Sequence, residues 1–191
     1  MSADVVILPG IGAFGDAMAS LGRLDLVEPL REVAASGKPL FGICLGLQLL
    51  MEESGEFGLH KGLGVVQGDV VTFDGPAESG RPLKVPQVGW NRIFRTATGD
   101  AYPADLWENS PLQGLADGEF MYFVHSFYVR PKDSSLVLSS SRYGDMEFCS
   151  SLKAGNIFAC QFHPERSGPG GLRIYRNVAS SVKLAREKRN G

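Results

Sequence analysis

The chain has 191 residues, 43% hydrophobic and 21% charged, which suits one domain with a substantial core and excludes disordered and fibrous classes. A net charge of −2 gives no electrostatic footing for nucleic acid or an anionic membrane, and no apolar run nears the roughly 20 residues that cross a bilayer. Three cysteines (Cys44, Cys149, Cys160) without CxxC spacing, and no signal-peptide pattern, argue against disulfides or zinc and for a reducing, cytoplasmic setting.

"ADVVILPG" is a β-branched run stopped by Pro9 and Gly10 and reads as a buried strand. Residues 13–36 read as helix, with breaks near Gly22 and Pro29 and a stop at Gly37. "KPLFGI" is a second buried strand, and "LGLQLLMEES" carries Leu47, Leu50 and Met51 at helical spacing. Strand, helix, strand, helix in short units signals a parallel sheet with helices packed on it.

After Gly58 the texture changes. "GVVQGDVVTF", "GWNRIF", "FMYFVHSFYV", "LVLSSSRYG", "DMEFCSSL" and "NIFACQF" are short strand-like runs, expected to form an antiparallel extension of the same sheet. Residues 74–83 and 97–118 read as loops. The last segment reads as a helix with an apolar stripe of Leu172, Tyr175, Val178, Ala179 and Val182. Its basic end (Lys183, Arg186, Lys188, Arg189) reads as a solvated last turn favoured by the helix dipole.

Three motifs carry chemistry. "GIGAFG", residues 10–15, is a formal G-x-G-x-x-G after a strand. The acidic partner of a dinucleotide site would fall inside the following helix, so a backbone N–H offered to some other oxyanion, or an ordinary turn, is the better reading. In "GICLG", Cys44 stands between Gly42 and Gly46 at a strand-to-helix turn. Glycines there suit a nucleophile elbow, with the helix mouth favouring thiolate and the Leu45 N–H free to donate. A buried cysteine in a packed turn is the alternative. "ACQFHPERSG", residues 159–168, puts His163 and Glu165 two apart, on one side of an extended chain, as a base and its orienter. The histidines show no metal-ligand spacing, and no metal or cofactor is expected.

"LPGIGAFGDAM", "GICLGLQLL", "VPQVGWN", "YFVHSFY" and "QFHPERSG" run in order across nearly the whole chain. On these stretches it resembles the triad-type (class I) glutamine amidotransferases, most closely glutaminase subunits of imidazole glycerol phosphate synthase. The resemblance implies one amidotransferase domain over residues 1–191, with a flavodoxin-like, mostly parallel α/β sheet flanked by helices and an antiparallel extension. It implies Cys44 as nucleophile, His163 as general base and acid, Glu165 as its orienter, and Gly10, Ile11 and Leu45 around the oxyanion. Gly12, Gln48, Glu56, Ser126 and Phe127 would hold glutamine, while Gln87, Trp90 and Asn91 would face a partner cyclase in a heterodimer that uses the ammonia.

Two departures stand out. Position 87 is glutamine where relatives commonly carry histidine. Only eight residues precede Pro9, where the family has a further strand and helix, so apolar sheet and helix surface is expected to be exposed there. Two rival readings remain: a related glutaminase feeding another synthase, such as one amidating a polysaccharide sugar, and a catalytically weak interaction subunit.

Overall fold

A computed structural model of the protein describes residues 3–96 and 106–190. The strands are β1 (Val6–Gly10), β2 (Leu40–Cys44), β3 (Glu53–Ser54), β4 (His60–Lys61), β5 (Gly68–Thr72), β6 (Ala77–Glu78), β7 (Arg81–Pro82), β8 (Gln87–Arg95), β9 (Glu119–His125), β10 (Phe127–Pro131), β11 (Val137–Tyr143), β12 (Met146–Ala154) and β13 (Ile157–Cys160). The α-helices are α1 (Phe14–Arg23), α2 (Val27–Ala35), α3 (Leu45–Leu49) and α4 (Gly168–Asn190).

β1, β2 and β13 lie side by side and parallel, in register Gly10 to Cys44 and Ile43 to Cys160. β12 joins β13 antiparallel and opens the extension through β10, β5, β11, β8 and β9. The fold expectation therefore holds, with the parallel part carrying the site. Alternation along β2 divides the core. Leu40 faces a cluster with Phe14, Val33 and Leu47 from α1–α3, whereas Phe41 and Ile43 face Ile174 and Val178 of α4 and Phe158 of β13.

Several boundaries differ from expectation for local reasons. The long helix breaks at Asp25 (φ 53°), just past Gly22, whereas Pro29 sits in the first turn of α2, where its missing N–H costs nothing. α3 has only five residues, and its chain turns at once into β3. "FMYFVHSFYV" is two strands, divided at Ser126. Residues 74–83 hold the small β6–β7 hairpin. Of the 97–118 loop, residues 97–105 lie outside the described residues; the remainder is turns, yet it buries Trp107, Leu112 and Leu115. Among the described large apolar side chains of α4, Ile174 and Val178 are buried while Leu172 is 53% exposed, so the apolar stripe lies slightly round the helix from its expected place. Lys183 and Arg186 are exposed as expected, and Arg186 lies 3.6 Å from Asp4; the side chains of Lys188 and Arg189 fall outside the description.

Among the described residues β1 has one sheet neighbour, β2, and the apolar exposure expected near it is present: Ile7 is 43%, Leu26 41% and Leu24 66% exposed.

Candidate active site

The site lies at the C-terminal ends of β1, β2 and β13, where ligands settle in open α/β sheets. All of β2 is buried, and the chain leaves it through Cys44 at φ 54°, ψ −108°. A non-glycine residue there is strained, by roughly 1–3 kcal/mol. The flanking glycines make the turn possible. A Cβ on Gly46 would collide with the carbonyl of Leu8 in β1, and one on Gly42 would press within 3.1 Å of both Ala159 and the Gly46 backbone.

Burial is the chief influence on Cys44, pushing its thiol up to about 11, while the Leu45 N–H and the Gln161 amide pull it down and Glu165 raises it further. A resting thiolate, expected from the helix mouth, is therefore overridden. A five-residue helix has a small dipole, and burial outweighs it.

His163 and Glu165 do meet, with Nδ1 and Oε1 2.6 Å apart. They do so by a turn and not by strand alternation: β13 ends at Cys160, and Pro164–Arg166 form a 3₁₀ turn that swings Glu165 back. A carboxylate only accepts, so Nδ1 carries the proton and Nε2 keeps the lone pair a base needs. That Nε2 is buried without a hydrogen-bond partner among the described residues. Ser167 clamps the backbone here. Its Oγ donates to the His163 carbonyl at 2.6 Å and accepts from the Tyr122 N–H at 3.0 Å, while the His163 N–H bonds the Tyr122 carbonyl at 2.8 Å.

Gly12, Gln48, Glu56, Ser126 and Phe127 line one cavity of about 240 Å³ together with Cys44, Leu45 and Ile11. Ile11 is 85% exposed at its mouth, and Gly10 lies opposite Cys44 in the β1–β2 register. Glu56 Oε2 accepts the Phe14 N–H at 2.6 Å, which anchors the cavity wall to the start of α1. A larger cavity, about 460 Å³, lies at the opposite ends of these strands, beside Leu40 and Ile157, and neither cysteine nor histidine is among its lining residues.

Of the expected partner-facing residues, Trp90 is exposed, alongside Val88 and across from Tyr122 and Val124. Gln87 corrects the expectation. It is 4% exposed, because alternation along β8 turns it inward, and its amide bonds His125 Nε2 at 3.0 Å. Asn91 is half-buried and donates from Nδ2 to the Arg142 carbonyl at 2.8 Å, bracing β8 against β11. Sequence reasoning overlooked Gln161, His125 and the clamping role of Ser167. Gln161 carried a signal, a polar residue inside an otherwise apolar strand end, "FACQF".

Fold and site together define an α/β protein with a cysteine elbow and a His–Glu pair at the C-terminal ends of its parallel strands. The class-I glutamine amidotransferase family model matches residues 2–181, and the chain belongs to that family. Within it, the chain is 47% identical to the imidazole glycerol phosphate synthase subunit HisH of Rhodopirellula baltica, over 94% of this chain and 80% of that protein. It is 45% identical to the HisH subunit of Aquifex aeolicus, over 92% and 76% respectively. Among solved structures, PurLQS from Thermotoga maritima superposes with a TM-score of 0.63 at 18% identity, covering 94% of this chain and 80% of that one. The glutaminase domain of Trypanosoma brucei CTPS superposes with a TM-score of 0.58 at 14% identity, covering 94% and 72%. These two likenesses concern the fold.

Proposed function

We propose that this chain is the glutaminase subunit of an imidazole glycerol phosphate synthase. It hydrolyses glutamine to glutamate and ammonia, and the ammonia passes to a cyclase partner that makes imidazole glycerol phosphate and AICAR in histidine biosynthesis. The observation that carries the reading is one cavity holding Cys44 with a buried carboxylate, Glu56, and an amide, Gln48, under the exposed backbone of Ile11 and Gly12.

Glutamine's ammonium group finds its counter-charge at Glu56, and its side-chain amide lies against Cys44. His163 Nε2 takes the thiol proton, sulfur attacks the amide carbon, and the oxyanion is held by backbone N–H groups at Leu45 and the Gly10–Ile11 turn. Each such donor is worth roughly 100- to 1,000-fold in rate. The imidazolium then protonates the departing nitrogen, so ammonia leaves and a thioester remains. Water, deprotonated by His163, attacks the thioester; glutamate departs and the thiol regains its proton. Glu165 keeps the imidazole in the required tautomer throughout.

The outer face of β8 and β9 supports the partner reading. Val88 (59% exposed), Trp90 (56%) and Phe120 (44%) form an aromatic and aliphatic ribbon, and Val124, which shares this face, also lines the cavity. A cyclase seated there would lie against the site where ammonia forms. Three free, buried thiols agree with a reducing cytoplasm.

The test is glutamate release from glutamine, with and without a histidine-pathway cyclase and its ribonucleotide ligand, with Cys44→Ala as blank. Release that rises sharply with the loaded cyclase and disappears in the blank is expected. No release from the folded wild-type chain under either condition would defeat the reading.

A further inference from the structure

The hydrogen bonds behind the cavity determine how two buried amides are turned. Gln48 Nε2 lies 2.9 Å from the carbonyl oxygen of Phe127 and 3.2 Å from Oε1 of Gln161. A carbonyl only accepts, so the Gln48 group at this point is its NH2. The second hydrogen of that NH2 reaches Gln161, whose facing atom has to be its oxygen. The Gln161 NH2 is then directed at Cys44, with Nε2 3.6 Å from Sγ. Gln161 is fully buried, and its backbone N–H is tied to the Ser150 carbonyl at 2.9 Å, so the amide has little room to turn otherwise. A long polar side chain at such depth costs stability unless both of its ends are bonded, and both are bonded into the site.

We propose that Gln161 is a positioning residue for the nucleophile: its NH2 donates to the Cys44 sulfur as thiolate forms, in an orientation imposed by Gln48. The role deepens the glutaminase reading and rests on it for the purpose of the thiolate, though not for the geometry. The groups that act on the sulfur come from several elements. Leu45 N–H and Gln161 favour the anion; Glu165 and burial oppose it. The Cys44 thiol itself reaches the Val124 carbonyl at 3.8 Å, and Cys160, on β13, is a second buried thiol whose ionisation Cys44 opposes and whose Sγ bonds the Phe162 carbonyl. Gln48 belongs both to the cavity wall and to this latch, so substrate contact and nucleophile strength are joined through one side chain.

The experiment is alkylation of Cys44 by iodoacetamide as a function of pH in the full chain, followed by peptide mass spectrometry so that Cys149 and Cys160 do not contribute. In that reaction the thiolate sulfur displaces iodide and forms a carbon–sulfur bond. Gln161→Met removes both hydrogen bonds. Gln161→Glu keeps an acceptor for Gln48 and turns an oxygen toward the sulfur. The midpoint of the profile is expected to rise by about one pH unit or more in both, which is about a tenfold slower reaction at neutral pH. In glutaminase assays Gln161→Glu is expected to lower kcat more than it raises KM. A folded variant whose alkylation midpoint is unchanged overturns the proposal, because a residue that only fills space alters stability and not the thiol. If neither Gln161 variant folds, Gln48→Met decides: it makes no bond to the sulfur yet releases the Gln161 amide, and a several-fold slower alkylation is expected. An unchanged midpoint there overturns the proposal as well. Wild-type alkylation needs no turnover, so absent glutaminase activity would defeat the functional reading and leave this test standing.

Discussion

The side-chain amide of Gln87 lies 3.0 Å from Nε2 of His125, and Nδ1 of the same ring lies 2.9 Å from the Phe127 carbonyl. The carbonyl requires a proton on Nδ1; the Gln87 atom facing Nε2 is Oε1, an acceptor, so a neutral ring bonds Gln87 only with that amide turned to present its NH2. β8 is thereby bonded through one imidazole to the same carbonyl that orients Gln48. Burial is the main reason the ring stays neutral, with nearby His163 adding to it and the Phe127 carbonyl opposing; together they bring its pKa down from 6.5 to about 4.

An acid dependence of stability follows. The unfolded chain takes up a proton on this histidine near 6.5, while the folded chain waits until about 4. Between those values the unfolded state holds more protons, so stability falls as pH falls, by about 3 kcal/mol in all, and is fully present above the window. Urea denaturation at neutral pH and near pH 4 measures the loss, and His125→Asn is expected to flatten it.

Gly46→Ala and Gly22→Ala should have opposite signs. The first drives a methyl into the Leu8 carbonyl of β1 and is expected to cost about 3 kcal/mol or to abolish soluble expression. The second, in α1 with open space around it, should stabilise by about 0.5–1 kcal/mol. Thermal unfolding of the pair separates a packing requirement from ordinary helix preference.

Cys44→Gly and Cys44→Ala should both lose glutamine hydrolysis but differ in stability. Glycine relieves the φ 54° backbone and alanine does not, so the glycine variant is expected to be more stable by about 1 kcal/mol. Equal melting temperatures would mean the turn stores no strain.

Glu165→Gln keeps an oxygen near His163 Nδ1 but removes the charge that steadies the imidazolium. Glu165 is 47% exposed on its side chain, so solvent shares that task. A fall in kcat of about 100-fold, with KM little changed, is expected from steady-state kinetics.

Trp90→Ala should weaken binding of the cyclase about 30-fold, as expected for a central aromatic anchor worth about 2 kcal/mol. Its effect is confined to the partner-stimulated rate. Alkylation of Cys44 in the isolated chain should match wild type, since Trp90 is exposed and is not among the residues lining the cavity around Cys44.

Local chemistry was the legible part of this protein. Glycine flanking Cys44 and the β-branched run ending at Pro9 restrict the backbone within a few residues, and they marked the elbow and the parallel strands; the meeting of His163 and Glu165 was legible too, though a 3₁₀ turn makes it where an extended chain was expected. The helix after Cys44 was overestimated because Leu50 and Met51 are buried at helical spacing although the chain has already left the helix. Periodicity records burial, and a buried turn satisfies it as well as a helix does.

What the sequence by itself determined was the set of reactive groups and the sharp turns that hold them, because those depend on side-chain chemistry and nearest-neighbour sterics. The tertiary structure alone decided which amides meet. Gln48 lies on α3, Gln87 on β8, His125 on β9 and Gln161 just past the end of β13, and buried polar groups must find partners wherever the fold brings one within about 3 Å. It also decided that Cys44 rests as a thiol. Burial is a property of the whole packed molecule, and here it outweighs the short helix that the sequence placed beside the sulfur.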